Sequence, residues 1–191
     1  MLGDSACGKS KLIERFLLDE YEPRQLSTYA LTLYRHEASV EGKVCFFILL
    51  SLLRVFTFAL QKIKVDFWDT AGQERFSDMH PSYYYRAHAC VLVFDVTRKA
   101  TYQHLRNWLD ELRQYCEEIP VLCVANKIDI DEQVTSKVFK FPKRNGLHFD
   151  FVSAAKGTNV VKSFERAIEL AWSYKTGEGN DMEELYRLLD D

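Results

Sequence analysis

Gly3-Asp4-Ser5-Ala6-Cys7-Gly8-Lys9-Ser10 has the spacing G-x-x-x-x-G-K-[ST] and runs into Lys11–Leu18, where apolar residues recur at helical intervals. Glycines at the two ends of such a loop let the backbone N–H groups of Asp4, Ser5, Ala6 and Cys7 wrap phosphate oxygens at a helix N-terminus. Lys9 then reaches the outer phosphates and the Ser10 hydroxyl suits a divalent cation. Taken alone, the string also fits an ordinary glycine-rich turn. Its weight comes from three further strings downstream in the chain.

Asp69-Thr70-Ala71-Gly72-Gln73-Glu74 comes directly after the apolar run Val65-Asp66-Phe67-Trp68. An aspartate at a strand end can hold Mg²⁺, Gly72 can offer an unhindered N–H to a terminal phosphate, and Gln73 can orient an attacking water. Asn126-Lys127-Ile128-Asp129 follows the strand-like run Val121–Ala125. The Asp129 carboxylate can accept both N1–H and the exocyclic amine of guanine, a donor pair that adenine lacks, while Lys127 lies along the base. Ser153-Ala154-Ala155, after Phe149–Val152, offers a further backbone N–H toward the guanine oxygen.

In this order the four strings resemble the Ras superfamily of GTPases, over nearly the whole span from Leu2 to Lys175. Trp68-Asp69-Thr70-Ala71-Gly72-Gln73-Glu74-Arg75-Phe76 resembles the Rab branch. Gln25-Leu26-Ser27-Thr28-Tyr29-Ala30-Leu31-Thr32-Leu33-Tyr34, Val93-Phe94-Asp95-Val96 and Phe151-Val152-Ser153-Ala154-Ala155 are similar to the Rab-like protein 2 subfamily. The resemblance implies a GTP/GDP switch with Mg²⁺ held by Ser10, Thr28 and Asp69. It implies effector and regulatory partners, and service to intraflagellar transport at the ciliary base. Slow intrinsic hydrolysis is expected, because no arginine finger is recognisable in the chain itself. A non-cycling module that keeps the fold as an interaction surface is the alternative.

Composition agrees with one α/β domain. The 191 residues suit a single core, and the net charge of −3 gives no broad basic field for nucleic acid. Cys90–Phe94 and Val121–Ala125 are apolar on both faces, as inner strands of a mostly parallel sheet must be when helices cover each side. Tyr102–Glu117 and Val160–Lys175 have the spacing of crossover helices. The domain is therefore placed at 1–175 and an acidic tail, with a short apolar stripe, at 176–191.

Five scattered cysteines without a C-x-x-C pair read as reduced thiols of a cytoplasmic protein, with Cys7 a small apolar packing residue. The histidines lack metal-ligand spacing. Neither a signal-peptide pattern nor a C-terminal cysteine for prenylation is visible, so membrane attachment is expected only through a partner, and the chain is expected to act as a monomer.

Two features depart from the family pattern. Met1-Leu2 stand immediately before the phosphate loop, where the resemblance implies a central strand. Losing the rest of that strand would remove several buried side chains worth about 1.5–3 kcal/mol each, against a total of roughly 5–15 kcal/mol, which predicts that the chain folds poorly or not at all. Thr28 and Asp69 also lie 41 positions apart, an excess equal to the 18-residue segment Val44–Gln61.

That segment is apolar apart from Arg54, two hydroxyl residues and its closing Gln61. A bilayer crossing takes about 20 apolar residues, but a single crossing here would separate two strands expected to form a hairpin. Lys43-Val44-Cys45 can be encoded AAG-GTA-TGT and Phe58-Ala59-Leu60-Gln61 can be encoded TTT-GCA-CTG-CAG, the two ends of an intron. A retained intron is the reading favoured by the sequence, and a genuine loop extension is its rival.

Overall fold

The computed structural model describes residues 1–19, 21–22, 31–46, 55–72, 84 and 86–177, with the backbone alone over 41–46 and 55–60 and at Glu132. Helix α1 (Lys9–Leu18) is followed by the antiparallel strands β1 (Leu31–Phe46) and β2 (Val55–Thr70). Next come β3 (Cys90–Asp95), α2 (Lys99–Gln103), α3 (Leu105–Tyr115) and β4 (Val121–Asn126). A 3₁₀ turn (Glu132–Ser136), α4 (Lys140–Arg144), β5 (His148–Phe151) and α5 (Val160–Thr176) complete the order.

Strands β3, β4 and β5 form a parallel sheet in that order. Every residue of β3 and of β4 is buried, and the two faces go to different partners. Val91, Val93, Leu122 and Val124 pack with Leu12 and Ile13 of α1 and Phe164 and Ile168 of α5. Cys90, Leu92, Phe94, Val121 and Cys123 pack with Leu105, Trp108, Leu109 and Leu112 of α3. Period-two alternation thus builds two cores on one sheet, the three-layer α/β arrangement expected from the apolar runs.

The β1–β2 hairpin joins the first core through an aromatic cluster. Phe16 of α1 stacks on Phe164 of α5 at 4.7 Å and meets Phe67 of β2 edge-on at 5.8 Å. Met1 and Leu2 lie between hairpin and sheet. Leu2 makes one parallel bridge to Leu92, with Leu2 N donating to Val91 O at 2.9 Å and Val93 N donating to Leu2 O at 2.8 Å. On the other side Thr70 Oγ1 donates to Met1 O at 2.6 Å. The phosphate loop therefore starts where the two sheets meet.

The expected helix at 102–117 is divided at His104, and the expected hairpin extends further than its family-like part. Register runs unbroken from Leu31↔Thr70 to Phe46↔Val55, carrying both described flanks of Val44–Gln61 as a ribbon. Among the described residues no helix is long and apolar enough to cross a membrane. Residues 178–191, most of the proposed tail, lie outside the described residues.

Candidate functional site

The loop Gly3–Ser10 connects the Leu2 bridge to α1, and its shape depends on a left-handed residue. Gly8 has φ +92°, and a Cβ there would stand 2.4 Å from Asn126 Nδ2, so neither the backbone nor the space admits a side chain. That same Asn126 amide donates to Cys7 O at 2.8 Å, tying the loop to the end of β4. Lys9 is only 6% exposed. Its ammonium folds across the loop onto Gly3 O at 2.7 Å and Asp4 O at 3.0 Å, and burial pushes its pKa below the ordinary lysine range. A buried cation surrounded by loop backbone is an anion-binding arrangement.

Ser10 Oγ donates to Asp69 Oδ2, bringing the first residues of α1 to the end of β2. A hydroxyl and a carboxylate in contact are hard oxygen donors, which suits Mg²⁺ bound through one carboxylate, hydroxyls, substrate phosphate and water. Among the described residues no group of three or more His, Cys, Asp or Glu side chains could hold a metal by itself. Gly72 presses on the same loop. A Cβ at Gly72 would lie 2.3 Å from the carbonyl carbon of Asp4 and 2.4 Å from Ser5 N, so the close approach requires glycine.

Three side chains outside the sequence motifs hold the back of the loop. Asp4 Oδ1 accepts from Trp108 Nε1 at 2.8 Å and Asp4 Oδ2 accepts from His104 Nδ1 at 2.8 Å. Arg98 Nη2 donates to Ser5 O at 2.7 Å and approaches Cys7 Sγ at 3.5 Å. Cys7 itself is fully buried, as a packing residue should be, and burial pushes its thiol up.

The candidate base-recognition residues form a second constellation at the ends of β4 and β5. Asn126 Oδ1 accepts from Lys127 N at 2.8 Å and from Ala154 N at 3.2 Å, joining the two segments. Ser153 Oγ donates to Asp129 Oδ1 at 2.6 Å and accepts from Lys156 N at 3.0 Å. Lys127 Nζ meets Asp95 Oδ2 at 2.7 Å. From α1, Arg15 Nε donates to Ala154 O at 3.0 Å and Arg15 Nη2 to Ala155 O at 2.8 Å.

Gly3–Ser10, Asp69 and Gly72 are thus gathered at one place, with Asn126, Lys127, Asp129 and Ser153–Ala155 beside them. Thr28 and Gln73 lie outside the described residues. Sequence reasoning missed Arg15, Asp95, Arg98 and His104, and gave Trp108 no role beyond its place in the crossover helix expected at 102–117. Asp95 bonds Thr97 and Arg98 nearby, but the contacts that tie these residues to the motifs, Asp95 to Lys127, Arg98 to Ser5, His104 to Asp4 and Arg15 to Ala154 and Ala155, join distant positions, so no local string announces them.

The family model described as Ras family matches residues 1–172. Rab-like protein 2A of Pongo abelii is 56% identical over 189 residues, covering 99% of this chain and 75% of that protein. Rab-like protein 2B of Homo sapiens is 55% identical over the same shares. Ras-related protein RABA4b of Arabidopsis thaliana is 34% identical over 168 residues, 86% of this chain and 67% of that protein. With the phosphate-loop geometry and the parallel α/β sheet, these matches lead to one conclusion: the chain belongs to the Ras family of small GTPases, which bind guanine nucleotides and hydrolyse GTP.

Proposed function

We propose that this GTPase works as a magnesium-dependent switch in intracellular transport, with the ciliary base as its place of action. The contact between Ser10 and Asp69 carries the magnesium part of the reading, because it unites two of the three protein groups assigned to the ion. Ser10, Thr28 and Asp69 would hold the ion, which when bound neutralises charge on the phosphates. Lys9 and the loop backbone bind the phosphates, Gly72 supplies an N–H to the terminal one, and Gln73 orients the attacking water. Asp129 selects guanine while Lys127 and Ser153–Ala155 close around the base. Similarity to the Rab-like protein 2 relatives supports the transport role.

Nucleotide content of the purified chain, followed by partner capture with two variants, tests this reading. Ser10→Asn should weaken metal coordination and favour the GDP-bound or empty state, whereas Gln73→Leu should keep the chain GTP-bound. The two should capture different partners, with ciliary transport proteins among those of Gln73→Leu. Identical partners for both variants and the parent would favour the non-cycling scaffold instead.

Val44–Gln61 is best explained as a retained intron within the domain 1–175, ahead of an acidic tail at 176–191. Its removal leaves the family-like part of the hairpin in register, with Ser39↔Lys62 as the last pair. Sequencing the transcript decides the matter, and messages that uniformly carry the segment would make it a genuine extension.

A further inference from the structure

Asp95 ends β3, is 1% exposed, and belongs to none of the motifs that define the nucleotide site. Its carboxylate is nevertheless crowded with donors. Oδ1 accepts from Thr97 N at 2.9 Å and Thr97 Oγ1 at 2.6 Å, and Oδ2 accepts from Arg98 Nε at 3.0 Å and Lys127 Nζ at 2.7 Å. The other end of the same guanidinium donates to Ser5 O in the phosphate loop at 2.7 Å. One side chain therefore spans from the carboxylate that anchors the base-packing lysine to the carbonyl that shapes the phosphate loop.

We propose that Arg98, seated on Asp95, is a positioning residue that couples guanine recognition to the geometry of the phosphate loop. The proposal rests on the nucleotide-binding reading and adds a coupling to it. An arginine suits the task because its planar fork presents Nε and Nη2 in fixed directions, so the distance between Asp95 and Ser5 O is set by covalent geometry. A lysine offers a single ammonium and cannot make both contacts at once. Because Arg98 and Lys127 share Asp95 Oδ2, displacement of either cation shifts the carboxylate that holds the other. Two residues in one such network do not act independently.

The test is a double-mutant cycle on the full chain, read as the dissociation rate of fluorescent GDP. Arg98→Met keeps the stem of a side chain that is 43% exposed, and Lys127→Met removes the other cation. Each should speed GDP release by about tenfold, and the double variant should fall well short of the product of the two effects. Arg98→Lys should release GDP as fast as Arg98→Met, because charge without the fork does not span the gap. Multiplicative effects, a parental rate in Arg98→Met, or full rescue by Arg98→Lys would each overturn the coupling. Should Arg98→Met prove insoluble, Arg98→Lys decides alone, acceleration supporting the brace and a parental rate sinking it. GDP binding by the parent is measured first: its failure would remove the nucleotide reading, whereas binding by the parent with an unresponsive Arg98 removes only the brace.

Discussion

Asp95 shows how a single buried carboxyl can be kept ionised. Burial by itself would raise its pKa, but the hydrogen bonds from Lys127 and Thr97 outweigh that effect and hold it below the ordinary aspartate range. The native state then binds fewer protons than the unfolded chain, so the stability contributed by Asp95 is present above the ordinary aspartate value and is lost as pH falls through the folded one. Asp95→Asn should cost about 1–3 kcal/mol near neutrality, and the gap to the parent should narrow below pH about 4. Thermal midpoints of both proteins across that range check it, and a gap independent of pH would refute it. Asp129 carries a different prediction. Its carboxylate is oriented by Ser153, and Asp129→Asn should weaken GDP by at least about tenfold while improving xanthine nucleotides, since the amide reverses one donor–acceptor pair. Competition between the two diphosphates gives the answer, and an unchanged preference for guanine would remove Asp129 from base selection.

At the scale of elements, the hairpin was only partly legible. Alternation places Tyr34, Ala38, Ile63 and Val65 against the core, and that part follows from the sequence. The length of β1 and β2 does not, because apolar runs such as Val44–Phe46 fit strand, helix and membrane span alike. Pairing decides it: Val44↔Thr57 and Phe46↔Val55 continue a register already set by Leu31↔Thr70. Deleting Val44–Gln61 would join Lys43 to Lys62 and turn Val40–Lys43 into a short loop, leaving every pair from Leu31↔Thr70 to Ser39↔Lys62. Soluble yield should rise because a long apolar ribbon associates with other chains, while GDP release should stay within about twofold, since Asp69 keeps its partner Thr32. Loss of nucleotide binding on deletion would instead make the ribbon a working part. The split between α2 and α3 at His104 was likewise hidden from periodicity, and it brings His104 to Asp4.

Across the whole molecule, the site is assembled from both sides of the join between hairpin and sheet. Ser10 meets Asp69 from the hairpin, Asn126 meets Cys7 from the sheet, and Arg15 reaches Ala154 and Ala155. A ligand held by all of these binds the native state alone, so GDP at about a hundred times its dissociation constant should add ~2.7 kcal/mol. For a domain of this size that is a rise of roughly 5–10 °C in thermal midpoint, with ATP giving none. An equal rise with ATP would contradict guanine selection. The sequence by itself determined the family, the α/β class and the residues of the phosphate, Asp-Thr-Ala-Gly-Gln and Asn-Lys-x-Asp strings, because backbone wrapping and helix or strand periodicity act over a few neighbouring positions. Only the tertiary structure decided that Asp95, Arg98, Arg15 and His104 brace those strings. Their bonds join residues as far apart as Arg15 and Ala155, or Asp4 and His104, and such pairings exist only after the sheet and its helices have brought the segments together.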